Sequence, residues 1–292
     1  MKELELLLDS CRSDFTKQQY AYRMQKYFDF VGSKLPKTKK KIEQKILEYI
    51  AYLKKQGASY QTISISIAPI KSFYAINDVV INTKKIGKFI PEYKKARTDK
   101  AYTDYEIAKL LEFSDERMRC VILILASSGI RIGALPSIKL RNLQDIKLTV
   151  YENDKEEYVT FITPECKKAI DDYLDMRLRY GEKLNDDSYL VREQFDVRCP
   201  SLPKQYNRKA IQTKLYDLCK RAGIDKKQIP VAHGFRKFFT TQLVNSKINP
   251  EIREMLLGHK IGLASAYYRP SEQDMYNEYM KAVNLLTINE EN

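Results

Sequence analysis

The stretch AHGFRKFFTTQLVNSKINPEIREMLLGHK, residues 232–260, holds both histidines of this 292-residue chain. His233 and Arg236 stand three residues apart at the start of a helical run, so they share a face. An imidazole beside a guanidinium gains nothing in a core, because both groups prefer anions. Aimed at one phosphate, the pair makes sense. Further on, Asn249 is a good N-cap and Pro250 a good first helical residue. The helix EIREMLL then stops at Gly258, which sets His259 just past a left-handed turn.

Upstream, the apolar run RMRCVILILASS (117–128) reads as a helix buried all round. It ends at Gly129, and Arg131 in SSGIRIGAL (127–135) stands at the start of the next segment. A helix N-terminus beside that guanidinium would form an anion site. The segment IKLTVYENDKEEYVTFIT (146–163) has two β-branched runs around a charged turn, which predicts a hairpin. Thr103 followed by Glu106 is a capping-box pattern that opens a helix, and Pro164 to Arg179 is helical in pattern. In AYYRP (266–270), two adjacent tyrosines close an element. With 21 tyrosines in the chain, packing accounts for most of them. A phenol also attacks phosphorus when a base or nearby cations activate it.

The charge is uneven. The net charge is +13, and residues 1–100 hold 21 Lys and Arg against 10 Asp and Glu. A strongly basic first third beside a near-neutral remainder points to a module that grips a polyanion. That third reads as helices. Phe15, Tyr20, Met24, Tyr27 and Phe28 form one apolar stripe, and Ile42, Ile46, Ile50 and Leu53 a second. The segment 59–77 starts with strand-like alternation, but its length and its place between helices favour a third helix. The Lys-rich stretch 84–103 with Pro91 reads as a linker. Cys11, Cys120, Cys166, Cys199 and Cys219 are scattered without a C-x-x-C pair, which fits reduced cysteines in a cytosolic protein. No apolar run reaches membrane-spanning length, and the start lacks the order of a signal peptide. Nothing here resembles a P-loop or a set of clustered metal ligands. The expected fold class is mainly α with a small antiparallel β-sheet.

Taken together, the arginine at 131, H-x-x-R at 233–236, L-G-H at 257–259 and a tyrosine nine residues on resemble the tyrosine recombinases and phage-type integrases. The YYRP ending and the Lys-rich style resemble archaeal integrases of mobile elements. The resemblance covers about residues 103 to 285 and implies a DNA strand-transfer enzyme without metal or cofactor. It implies a helical core-binding domain over 1–83, a basic linker over 84–102, and a catalytic domain with a C-terminal helix over 103–292. Arg131, His233, Arg236 and His259 would form the phosphate pocket. Both arginines would clamp the non-bridging oxygens, His233 would move protons, and His259 would hydrogen-bond the phosphate. Lys155, in the hairpin turn, would protonate the leaving 5′-oxygen, with Lys147 and Lys139 next in line.

Tyr268 would be the nucleophile, with Tyr267 as the alternative register. The chain departs from the family at Ala134, where an acidic residue is usual, and Pro136 is unusual so near that arginine. The implied partners are double-stranded DNA at specific sites and three further copies of the chain, in the cytoplasm with the nucleoid. The helix 274–286, with Met275, Tyr279, Val283 and Leu286 on one face, would dock on a neighbour or pack on its own domain. A type IB topoisomerase and a non-catalytic DNA-binding regulator are the other readings.

Overall fold

The computed structural model describes residues 2–32, 35–93, 99–193, 204–225, 227–260 and 268–288. The chain forms two compact units, residues 1–96 and 97–292.

The first unit is helical. It contains α1 (Lys2–Asp9), α2 (Asp14–Val31), α3 (Lys39–Lys55), α4 (Tyr60–Ile76) and α5 (Thr83–Phe89). Met24 and Tyr27 of α2, Ile42, Ile46 and Ile50 of α3, and Ile63, Ile67 and Ile70 of α4 make its core. Phe15 does not join them and is 71% exposed. Nine residues are two and a half helical turns, which puts Phe15 on the face opposite Met24. The segment 59–77 is helical in spite of its alternation. Ser59 caps α4 by accepting the Thr62 N–H, and burial of three isoleucines at i, i+4 and i+7 selects the helix. The expected linker begins with structure. Asn82 caps α5 by accepting the Lys85 N–H, and Ile86 is buried in the core of the first unit. One apolar residue in a Lys-rich run was enough to anchor it. Residues 94–98 of that linker lie outside the described residues.

The second unit is built on α7 (Glu116–Ser128), which follows α6 (Asp104–Glu112) with its Thr103–Glu106 capping box. From Cys120 to Ser128 every residue of α7 is buried, packed against α8 (Pro164–Arg179) and α10 (His233–Asn245). The hairpin is present as β2 (Lys147–Val150) and β3 (Tyr158–Phe161), antiparallel, with Leu148 opposite Thr160 and Val150 opposite Tyr158. A two-residue strand, β1 (Leu143–Gln144), adds an edge that the hydrophobic pattern was too short to reveal. Beyond α9 (Arg208–Arg221), α11 (Pro250–Leu256) packs on β3.

After α11 comes α12 (Glu272–Met280), then a short helical turn at Val283–Leu286. Met275, Tyr279, Val283 and Leu286 are buried in the core of their own unit, and the Tyr279 hydroxyl donates to the Ser127 carbonyl at 3.0 Å. The apolar face of this segment is therefore spent within the unit and not left for a neighbour. Cys11, Cys120, Cys166 and Cys219 form no disulfide among the described residues, while Cys199 lies outside them. Among the described residues, no helix is long and apolar enough to cross a membrane.

Candidate active site

Arg236 lies one turn into α10 and is 7% exposed. Its Nη1 donates to the Gly129 carbonyl at 2.7 Å and its Nη2 to the Leu257 carbonyl at 2.5 Å. These carbonyls belong to the C-caps of α7 and α11. The guanidinium thus caps two helix C-termini, where unsatisfied carbonyls and the negative ends of the helix dipoles favour a cation. Gly129 permits this approach. It has φ +62°, and a Cβ there would lie 2.2 Å from Phe239 Cδ1. Burial first, and the neighbouring Arg131 charge second, hold the Arg236 guanidinium below its ordinary value.

Arg131 is exposed, and its guanidinium has no hydrogen bond or ion pair with any described residue. It does not open an α-helix. It stands in a turn before the short 3-10 segment Leu135–Ser137, so the expected helix N-terminus is missing. Pro136 within that segment cannot donate to a helical ladder. The departure at 134 has a packing reason, since Ala134 is fully buried.

His259 completes the group. Its Nε2 accepts from Arg236 Nη2 at 2.8 Å, and its Nδ1 donates to Glu254 Oε2 at 2.6 Å. A guanidinium only donates and a carboxylate only accepts, so this pairing fixes the tautomer with the proton on Nδ1. In this structure Nε2 is thus engaged with Arg236. Glu254 was not singled out from the sequence, although the signal was there. Gly258, with φ +65°, ends α11 in a Schellman motif: His259 N–H bonds to Glu254 O and Gly258 N–H to Met255 O. That motif brings the residue after the glycine back onto the one five positions earlier. The hydrogen bond from His259 holds the Glu254 carboxyl below the carboxylate range.

His233 is the first residue of α10 and is exposed, with no hydrogen bond to a described residue. Partial desolvation, then the charges of Lys237 and Arg236, hold its imidazole below the ordinary histidine value of 6.5. It is therefore a neutral proton acceptor at neutral pH.

A cavity of about 630 Å³ is lined by Arg131, Lys155, Tyr158, Gly258 and His259, with Pro270 and Glu272 on its rim. Lys155 occupies the β2–β3 turn. The turn is closed by its own hydrogen bonds, such as Asp154 N–H to Tyr151 O and Asn153 N–H to Glu157, while the Lys155 ammonium has no ion pair among the described residues. The two other lysines considered are engaged: Lys147 with Glu272 at 3.1 Å and Lys139 with Asp187 at 2.7 Å. Tyr268 is 37% exposed and is not among the lining residues, but Pro270, two positions on, is. Tyr267 lies outside the described residues. Tyr158, which lines the cavity, was likewise not singled out from the sequence. Among the described residues, no group of three or more His, Cys, Asp or Glu is placed to hold a metal ion.

Comparison with known proteins bears on the family and the fold. The tyrosine recombinase XerC of Leptospira interrogans is 24% identical, over 81% of this chain and 77% of its own length. The tyrosine recombinase XerA of Pyrococcus horikoshii is 22% identical, over 95% of this chain and 90% of its own. Two solved structures share the fold. A lambda integrase dimer bound to a COC' core site has a TM-score of 0.68 at 15% identity, covering 93% of this chain and 94% of that one. The Tn1549 transposon integrase in complex with circular intermediate DNA has a TM-score of 0.65 at 18% identity, covering 95% and 98%. The model of the phage integrase family matches residues 100–274, more than half of the chain and all of it from Arg131 to Tyr268, and by that match the chain belongs to the phage integrase family.

Proposed function

We propose that this chain is a site-specific DNA recombinase that cuts and rejoins DNA through a 3′-phosphotyrosyl intermediate. The observation that carries the assignment of roles is the pairing of Arg131 and Arg236 with no carboxylate in direct ion pair to either, although Glu156, Glu157 and Glu272 line the same cavity and Glu254 stands behind His259. Two guanidiniums share one corner of the fold, neither forms an ion pair with a described acid, and a cavity lined by Lys155 and His259 opens beside them. Such a corner is built for a tetrahedral oxyanion.

The Tyr268 oxygen attacks the scissile phosphorus as its proton passes to His233. Arg131 and Arg236 neutralise the non-bridging oxygens of the pentavalent state. The bond to the 5′-oxygen breaks, and Lys155 gives that oxygen a proton. The products are a 3′-phosphotyrosine and a free 5′-hydroxyl. Attack by the 5′-hydroxyl of a partner strand reverses the step. One phosphodiester is exchanged for another throughout, so no high-energy cofactor enters. The lambda integrase neighbours include a tetramer bound to a Holliday junction. We carry that assembly over: four copies on two duplexes. The basic helical unit 1–96 grips the DNA backbone without regard to sequence, and a double-stranded DNA substrate would put the protein in the cytoplasm with the nucleoid.

The test is a pool of duplexes of random core sequence, each nicked a few nucleotides 3′ of a central position. Cleavage just before the nick releases a short fragment and strands the protein on the DNA. A denaturing gel then shows an adduct, and sequencing its DNA gives the site. Relaxation of a supercoiled circle without strand exchange at that site would mark a topoisomerase. Band shifts without any adduct would mark a binding protein.

A further inference from the structure

Tyr158 is the first residue of β3, three positions after Lys155, and it faces the same cavity as Arg131 and His259. Its ring packs against the turn that carries His259. A Cβ at Gly258 would come within 2.5 Å of Tyr158 Cε1 and 2.8 Å of Cζ. On its other side the ring meets Tyr151, with centroids 6.3 Å apart. The ring is therefore wedged between the hairpin and the L-G-H turn, and the position of its hydroxyl is set.

That hydroxyl is buried and has no hydrogen-bond partner among the described residues. Among the described residues, it is the only such atom on a residue lining this cavity. Burial raises the phenol above its ordinary value, with the Arg236 and Arg131 charges pulling the other way. It is thus a neutral hydroxyl on which Arg236 leans without reaching hydrogen-bond geometry. An unpaired hydroxyl in the interior costs stability and contributes nothing in this state. Arg236 already acts on this hydroxyl, and a second state that brought the two into hydrogen-bond geometry would give it a full partner.

The donor count on Arg236 supplies that second state. A guanidinium has five N–H groups. Three are spent, on Gly129 O, Leu257 O and His259 Nε2, which leaves two for a phosphate. For His259 to donate to the phosphate, its Nε2 must take a proton from solvent as the phosphate's negative charge arrives, Nδ1 staying on Glu254, and release Arg236. The freed Nη2–H then needs a new acceptor. We infer that Tyr158 is a positioning residue for the strand-cleavage step: its hydroxyl accepts the Arg236 N–H that His259 gives up when His259 turns to the scissile phosphate. The inference rests on the recombinase reading above.

The experiment compares full-length wild type with Tyr158→Phe on the duplex selected from the nicked pool. Phe keeps the ring and removes only the oxygen. The variant should melt no lower than wild type, bind the duplex with unchanged Kd, and cleave about tenfold more slowly in a single turnover at saturating DNA, the worth of one hydrogen bond to a charged group. A spectroscopic arm uses tyrosine labelled with ¹³C at Cζ in the Tyr268→Phe background, which holds the DNA uncut. The Tyr158 signal, assigned by its loss in Tyr158→Phe, should shift on adding the duplex, and the shift should be absent when His259 is Ala. If wild type forms no adduct, the recombinase reading fails and this inference with it. If wild type forms adduct and Tyr158→Phe matches its rate, only the inference fails. An unmoved Tyr158 signal in a complex confirmed by band shift overturns it as well.

Discussion

The second unit contains two arginine clusters, and they are built on opposite terms. In the first, Arg177 of α8 is fully buried and its Nη2 and Nε grip Glu182 at 2.7 and 3.0 Å. Arg192 bonds the same carboxylate at 2.9 Å, and Arg177 also donates to the Tyr189 carbonyl at 2.8 Å. Burial alone would raise the Glu182 carboxyl. The hydrogen bonds and charge of Arg177, then those of Arg192, overcome this and hold it below the carboxylate range. The Glu182 carboxylate is answered within the unit, and the cluster ties the end of α8 to the chain around residue 190. In the second, Arg236 is buried against carbonyl dipoles and an imidazole, with Arg131 repelling it from solvent. Its missing counter-ion is the phosphate. Both clusters bury guanidinium, but only the second leaves charge to be answered by a ligand.

Substitution should separate them. Arg131→Ala should lower the single-turnover cleavage rate by about 10²–10³, the usual loss for one oxyanion donor, while the melting temperature stays level or rises as the repulsion on Arg236 is relieved. Arg177→Ala should do the reverse. It leaves Glu182 short of its main partner, which costs about 3–5 kcal/mol of stability, while the cleavage rate per folded molecule holds. If Arg131→Ala destabilises and Arg177→Ala is silent in the melt, the comparison is broken.

Lys155→Ala should slow cleavage by about a hundredfold, as for a positioned general acid. On a duplex whose bridging 5′-oxygen is sulfur, a thiolate leaves without a proton, so the variant should recover most of its rate. Equal slowness on both substrates would remove Lys155 from that role and return attention to Lys147 or Lys139.

A smaller effect concerns pH. The base His233 works neutral, and its value lies below 6.5. Cleavage should therefore be flat through pH 7 and fall only below pH 6.5, and His233→Gln should erase that limb. The folded imidazole takes a proton less readily than the unfolded one. Its contribution to stability is thus whole above pH 6.5 and lost as pH falls through the folded value, so rates are normalised to the folded fraction. A limb that sits above 6.5 would argue for a different base. The smallest expected effect is none: cleavage should continue in excess EDTA, because guanidinium and imidazole carry the charge stabilisation. A strict magnesium requirement for cleavage would contradict this.

Much of this was legible in the sequence, for identifiable reasons. The hairpin, the Gly258 stop and the Thr103 capping box are local rules written in single residues. What stayed hidden depends on packing between distant segments. Nothing local to HGFR says that Arg236 will cap α7, 107 positions away, through Gly129 O. Ala134 sits where a carboxylate was expected because the site around it is closed and apolar. The helix expected after Gly129 failed on the proline at 136, which the pattern contained and the reading underweighted. Tyr158 looked like an ordinary strand tyrosine, and only its position against Gly258 gives it meaning. Glu254 could have been found from Gly258 alone, since a Schellman turn pairs fixed positions.

The central claim is that a phenol at 268, delivered to the Arg131–Arg236 corner, becomes joined to DNA. Mass spectrometry of the trapped adduct, after nuclease and protease digestion, tests it most directly. The account predicts a 3′-phosphonucleotide on the peptide containing Tyr268, located on Tyr268 itself, and no adduct from Tyr268→Phe although that variant still binds the duplex. A nucleotide on Tyr267, on another side chain, or cut DNA carrying no protein would contradict it.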